Sequence, residues 1–228
     1  MARHTGAILQ RDGKTFALVT RIPGGIVTPE TLEKIAAVAR KYQIPILKLT
    51  SGQRFMLIGM SENDLAPIYR DLGPIAEKET APCVKYVQTC LGTDVCKYGT
   101  QDSIELGLEL EEKFHGVTFP AKLKFGVSGC LRCCGESYTR DIGLVGTTKG
   151  WTVVFGGNSG RRPSLGTVIA KDLSRADALD LVHRLLEYYQ SNARPKERTA
   201  RFLERIGFAQ LESDLLTLLP YIQLKDAR

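Results

Sequence analysis

The residues best suited to chemistry in this 228-residue chain are two pairs of cysteines: Cys90 and Cys96 in TCLGTDVCKYG, then Cys130 and Cys134 in SGCLRCCGES. Thiolates are soft donors, and four of them converging from distant points of a chain suit a metal ion or an iron-sulfur cluster. Their spacing is neither the Cys-x2-Cys knuckle of structural zinc sites nor the closely spaced run of ferredoxins. Gly92, Gly99, Gly129 and Gly135 surround them, supplying loop freedom and backbone N–H groups able to donate to cluster sulfurs. The plainer alternative is ordinary buried cysteine, which packs as a small apolar residue, and the glycine setting favours a cluster over it. Cys83 reads as such a buried residue and Cys133 as a spare thiol, while His4, His115 and His183 form no constellation. His183 is expected to be solvated on the polar side of its helix.

Composition limits what such a site serves. With 43% apolar residues the chain can bury a sizeable core as one large domain or two small ones. No stretch approaches the roughly 18 apolar residues of a membrane span, and the opening MARHTGAILQRDG has no apolar run of signal-peptide length. A cytoplasmic location is expected, where reducing conditions make ligation a better reading of six cysteines than disulfides. The net charge of +6 fits anionic ligands or a solvated basic surface. Without a Lys/Arg block, and with 7% aromatic residues, a nucleic-acid partner is not expected.

The elements that must position the cysteines follow from periodicity and punctuation. TFALVT at 15–20 reads as a strand, followed by the turn in RIPGGIVT and a helix capped by Thr28 with Pro29 in its first position. Leu32, Ile35, Ala36 and Ala39 recur along it at helical spacing. Strands at 44–49 and 54–60 bracket a Thr50-Ser51-Gly52 turn, and Ser61 starts a short helix through Tyr69. This β-α-β-β-α unit resembles half of a ferredoxin-like fold. Residues 72–82, polar and with two prolines, read as a linker. Beyond it come a helix at 101–114 of mixed polarity, a strand at AKLKFGVSG with one basic face, strands at 142–145 and 151–155, and the glycine-rich loop Gly156 to Gly160. An amphipathic helix at 175–190 and one or two helices over 195–219 close the chain. The fold class is α+β, with domains at 1–72 and 80–228.

The Cys-x5-Cys and Cys-x3-Cys motif, together with RIPGGIVT, LTSGQR, CLGTDVCKYGTQDS, KFGVSGC and ERTARFLERIGF, resembles the sulfite and nitrite reductase family that couples a siroheme to a [4Fe-4S] cluster, and most of all its small assimilatory-type sulfite reductases. The resemblance covers nearly the whole chain. It implies that Cys90, Cys96, Cys130 and Cys134 hold the cluster, with the Cys134 sulfur also ligating the siroheme iron. Lys122 and Lys124 match a family P-x-K-x-K element that binds the substrate anion and helps deliver protons; the alternative is an exposed strand edge carrying charge against aggregation. Thr50 to Arg54 resembles a T-x-R-Q element, including Thr50 and Gln53, but Gly52 stands where many members have an anion-binding arginine. Arg54 then faces the same way if the strand already runs there. Lys85 occupies a position where relatives often have arginine, which keeps the charge and loses the planar fork. Arg21 is a candidate for a siroheme carboxylate or an anchor of its turn. Gly156, Gly157 and Asn158 are candidates to present N–H groups to siroheme, or form a hairpin turn. Leu131-Arg132-Cys133 replaces the Pro-Asn-Gly common between the last two ligands.

The implied function is six-electron reduction of sulfite, a small inorganic anion, to sulfide. The alternatives are nitrite reduction to ammonia on the same site, a siroheme-carrying electron-transfer subunit, or a zinc-stabilised binding module. With no G-x-G-x-x-G after a strand, electrons are expected from an external donor such as a ferredoxin. Large family members hold siroheme between two copies of this unit, so the resemblance implies a homodimer whose basic residues serve the partner's cofactor.

Overall fold

A computed structural model describes residues 6–78 and 81–218. His4 and the rest of residues 1–5 of the opening stretch, two residues of the expected linker and residue 219 lie outside the described residues. The chain divides into two compact units, Met1–Ala81 and Pro82–Arg228.

In the first unit the strands are β1 (Ile8–Leu9), β2 (Phe16–Val19), β3 (Ile46–Leu49) and β4 (Phe55–Met60), in the antiparallel order β1-β2-β4-β3. Helix α1 (Pro29–Lys41) begins as expected, with the Thr28 side chain accepting from the Thr31 N–H and Pro29 in the first turn. It buries Ile35, Val38 and Ala39, whereas Leu32 stays exposed. Helix α2 (Glu62–Leu72) runs a turn past Tyr69 and buries Leu65, Ile68 and Leu72 against Leu18 and Leu57 of the sheet. The expected linker begins too early. Residues 73–75 form a 3-10 turn, Ala76 bridges Thr20, and the Glu77 N–H donates to the Val19 carbonyl. Its prolines and charges hide a packed segment in which Ala76 is buried.

The second unit carries β5 (Val84–Thr89), β6 (Leu123–Ser128), β7 (Ile142–Thr147), β8 (Gly150–Phe155) and β9 (Thr167–Leu173), in the order β5-β6-β7-β8-β9. The pairs β5-β6 and β6-β7 are parallel, and the last two pairs antiparallel. A parallel pair needs a crossover. Between β5 and β6 it is α4 (Ser103–Phe114), preceded by the short α3 (Gly92–Val95). Asp102 caps α4 by accepting from the Ile104 and Glu105 N–H groups. The helix buries Leu106, Leu110 and Phe114 against Val87, Phe125 and Val127. Helix α5 (Arg175–Asn192) packs Leu179, Val182, Leu185, Leu186 and Tyr189 into the same core, joined by Phe202 of α6 (Thr199–Ile206) and by α7 (Phe208–Leu218). Strand β5 escaped the sequence reading because nearly every residue of it is buried, which removes the alternation by which half-buried strands are recognised. Strand β6 is interior to the sheet, so the exposed-edge reading of its lysines does not hold.

Candidate cluster and cofactor site

The cysteines sit where two adjacent parallel strands end. Cys90 follows β5, Cys130 comes two residues after β6, and Thr89 is in register with Val127. The carboxyl edge of a parallel sheet is where such folds place ligands. The two loops are bonded to each other: the Cys90 N–H donates to the Val127 carbonyl at 3.1 Å, and the Gly129 carbonyl accepts from the Thr100 and Gln101 N–H groups at 2.8 and 3.0 Å. The Arg132 guanidinium lies 3.8 Å from the centre of the Tyr98 ring, closing the contact from outside. The Gly129 N–H donates to Cys90 Sγ at 3.1 Å, and the Ser103 hydroxyl stands 3.2 Å from the same sulfur. The same hydroxyl donates to the Cys90 carbonyl at 3.0 Å.

All six cysteines are free thiols; Cys134 is exposed, Cys83 buried and the others half-buried. Among the described residues no group of three or more His, Cys, Asp or Glu side chains stands in metal-holding geometry. What the fold brings together is the backbone of the two loops, with four thiol donors carried on them. That donor set fits an iron-sulfur cluster, since soft sulfur ligands on neighbouring turns are what such a group takes. Leu91, Val95, Tyr98 and Leu131 surround the loops as an exposed apolar rim.

The stretch from Cys130 to Asp141 returns across the face of the sheet. Its turns are tight, with Cys133 and Glu136 N–H groups donating to the Cys130 and Cys133 carbonyls. The Gly135 N–H bonds Ser128 Oγ at 2.9 Å, and the Ser137 hydroxyl sits between Ser128 Oγ and the Leu144 carbonyl. Glycine permits this approach: a Cβ at Gly143 would lie 2.1 Å from the Ser137 carbonyl oxygen. Cys133 and Glu136 are non-glycine residues at φ +55°.

The candidate basic residues occupy the other end of these strands. Lys85 lies near the start of β5, Lys122 just before β6 and Lys124 within it, the first and last being half-buried and Lys122 exposed. Burial pushes the Lys124 ammonium below the usual lysine range, and the nearby Arg198, Lys122 and Arg140 cations push it the same way. Buried Asp141 anchors this end. It accepts from Arg198 at 3.0 and 2.6 Å, from the Thr199 hydroxyl at 2.7 Å and from the Lys124 N–H at 2.9 Å. Sequence reasoning missed Asp141, Arg140 and Arg198. The only signal was an Arg-Asp pair beside the apolar run IGLV, and a charge beside a strand ordinarily reads as solvated.

The glycine-rich loop also lies at the amino end, where the Gly156 N–H donates to the Asp141 carbonyl. This corrects the expectation for Gly156 and Asn158: both N–H groups are committed inside the chain, the second to the Ser164 carbonyl. Asn158 further donates to the Arg162 carbonyl and accepts from the Gly160 N–H, so its side chain builds the loop. Gly157 is buried where a Cβ would meet Arg140 and Tyr138 carbonyl oxygens at 2.5 Å. Beside the loop opens a cavity of about 700 Å³ lined in part by Arg161, Arg162, Arg198 and Arg201. Arg198 is held by Asp141, and Arg162 and Arg201 each pair with Glu204, which also lines the cavity.

Arg21, Thr50, Gln53 and Arg54 belong to the first unit. Gln53 packs beside Gly25 of the turn after Arg21, and Thr50 Oγ1 donates to the Arg54 carbonyl and accepts from the Arg54 N–H across the hairpin loop. The premise for Arg54 fails: Gln53 has φ +57° and β4 starts at Phe55, so Gly52 and Arg54 do not share a strand face. The Arg54 guanidinium instead pairs with Glu77 at 3.7 Å, both side chains almost buried.

Comparison with known proteins agrees with this geometry. Residues 80–219 match the family model described as the nitrite and sulphite reductase 4Fe-4S domain, and residues 8–75 the nitrite/sulfite reductase ferredoxin-like half domain. The chain is 47% identical to the assimilatory-type sulfite reductase of Nitratidesulfovibrio vulgaris, with 92% of this chain and 97% of that protein covered. It is 40% identical to the Bacillus subtilis nitrite reductase [NAD(P)H], matching 92% of this chain but only 26% of that one. Two solved structures share the fold, the Mycobacterium tuberculosis NirA protein (TM-score 0.82, 14% identity, 99% of this chain and 47% of that one) and dissimilatory sulfite reductase I (TM-score 0.81, 13% identity, 94% and 71%). The chain belongs to the nitrite and sulphite reductase family of oxidoreductases.

Proposed function

We propose that this chain is a sulfite reductase, passing electrons from an external donor such as a ferredoxin to sulfite in its six-electron reduction to sulfide. The observation that carries the reading is the pairing of Cys-x5-Cys and Cys-x3-Cys loops at the carboxyl ends of β5 and β6, in a chain similar to an assimilatory-type sulfite reductase along 97% of that protein's length. Cys90, Cys96, Cys130 and Cys134 would hold a [4Fe-4S] cluster, with Cys134 also a ligand of siroheme iron. When bound, the two groups supply single electrons in sequence to an anion held at the iron.

The protein's own side chains supply charge and protons. Each sulfite oxygen leaves as water, so the reaction consumes protons as well as electrons, and they must come from groups that release them near neutral pH. Lys124 is the side chain here whose hold on its proton is weakened, by burial first and then by the Arg198, Lys122 and Arg140 cations, with Asp141 acting the other way. Lys85 and Lys122 add positive charge for the anion.

The reading includes a homodimer in which the lysines of one subunit serve the cofactor held by the other. Its support is the strand polarity, which sets cysteines and lysines at opposite ends of β5 and β6 in one chain. Nitrite is the second substrate to consider, given the 40% identity to a nitrite reductase. Absorption spectra and steady-state turnover with a chemical reductant test all of this. The expected outcome is siroheme and cluster bands with kcat/KM higher for sulfite than for nitrite. A colourless protein would sink the cofactors, a nitrite preference the substrate, coloured protein without turnover would leave an electron-transfer subunit, and an active monomer in sedimentation would remove the dimer.

A further inference from the structure

We propose that Arg140 is a positioning residue that fixes the separation of the two cysteine loops, and through it the cluster. The inference rests on the reading of Cys90, Cys96, Cys130 and Cys134 as cluster ligands. The Arg140 side chain is 3% exposed, and one of its terminal nitrogens donates to Gln88 Oε1 at 2.7 Å and Glu136 Oε2 at 2.5 Å. The other donates to Ser159 Oγ at 3.1 Å. Gln88 lies in β5 two residues before Cys90. Glu136 stands two residues after Cys134, and Ser159 lies in the glycine-rich loop. One guanidinium therefore ties together the segments carrying the first ligand, the last ligand and the loop beside the basic cavity.

Packing alone does not call for arginine here. An apolar side chain of similar volume would fill the space without desolvating a charge, and the Nε of Arg140 is buried with no hydrogen-bond partner among the described residues. The surroundings make room for the side chain, since a Cβ at Gly126 would come within 2.9 Å of Arg140 Cγ. The guanidinium suits the task because its planar fork holds three acceptors in fixed directions, which an ammonium on a flexible stem does not.

The test uses the holoprotein, its Arg140→Gln variant and its Glu136→Gln variant, the last altering a side chain that is half-exposed. The readouts are the rate of iron loss to a ferrous chelator and the electron paramagnetic resonance spectrum of the reduced cluster, with circular dichroism to establish folding. Both variants are expected to release iron roughly tenfold faster, as when a partner holding a metal ligand in place is removed, with altered g-values. Folded variants that release iron at the wild-type rate with the wild-type spectrum overturn the proposal. If Arg140→Gln does not fold, Glu136→Gln alone decides. A wild-type protein without iron brings down the cluster reading and the role of Arg140 together, whereas iron in the wild type with unaffected variants removes the positioning role only.

Discussion

At their carboxyl ends β5 and β6 present thiols on glycine-lined turns, with an apolar rim of Leu91, Val95, Tyr98 and Leu131. At the amino ends of the same strands stand Lys85, Lys122 and Lys124, with Asp141 and Arg198 beneath them. The two ends are separated by the length of β6, roughly 16 Å at the usual rise per residue. They are also held by different means. The carboxyl end depends on backbone contacts that tolerate no side chain, the amino end on one buried carboxylate satisfied by four donors. A close backbone approach is sensitive to added volume and a buried ion pair to lost charge, so the two ends should fail differently.

The largest effect is expected from Asp141→Asn at the amino end. It leaves the Arg198 guanidinium without its counter-charge and weakens the bond to the Lys124 N–H, and breaking a buried pair typically costs about 3–5 kcal/mol. Urea unfolding measures it, and a midpoint equal to wild type would mean that this end is not organised by Asp141. Next comes Lys124→Met, expected to lower kcat roughly 100-fold if the ammonium delivers protons. The sign of the pH effect follows from the depressed value in the folded chain. A lysine with a lowered folded pKa disfavours folding at neutral pH, and stability declines as pH falls through that value. Lys124→Met should therefore be at least as stable as wild type at pH 7 while losing the alkaline limb of the activity profile. A profile with that limb intact would move proton delivery elsewhere. Where the stretch from Cys130 to Asp141 crosses the sheet, Gly143→Ala would press a Cβ to 2.1 Å from the Ser137 carbonyl oxygen, and overpacking of this kind costs about 1–3 kcal/mol. Faster iron release should accompany it, because residue 137 closes the loop that begins at Cys130. An unchanged thermal midpoint would show that the loop stands off the sheet.

These two ends were not equally legible in the sequence. Helix α1 was readable because Thr28, Pro29 and the apolar spacing all pointed to one element, and α5 because five apolar residues at helical spacing all became buried. The cysteine loops were visible because thiols and glycines are rare enough to stand out. Strand β5 was hidden by burial on both faces, and the packing of 73–77 by its prolines and polar residues. The amino end was hidden for a different reason. Asp141 and Arg198 are 57 positions apart, and nothing in either neighbourhood distinguishes a carboxylate that will be buried by tertiary contacts from one facing water. Arg54 shows the converse, a local pattern that one left-handed residue, Gln53, overturns.

The smallest effect expected sharpens the contrast from inside the cysteine loop. Cys133 sits at φ +55°, as does Glu136 three residues on. A non-glycine residue in this region costs about 1–2 kcal/mol, and glycine forfeits about 0.5–1 kcal/mol through its greater freedom in the unfolded chain. Cys133→Gly should therefore gain roughly 0.5–1 kcal/mol, the difference of those terms. Cys133→Ala keeps the Cβ and removes only the thiol, so it should gain little. If the alanine variant is stabilised as much as the glycine variant, the thiol and not the backbone is the destabilising element. If both fall below wild type, the Cys133 side chain contributes favourable contacts that outweigh its backbone, and this end of the sheet tolerates side chains after all.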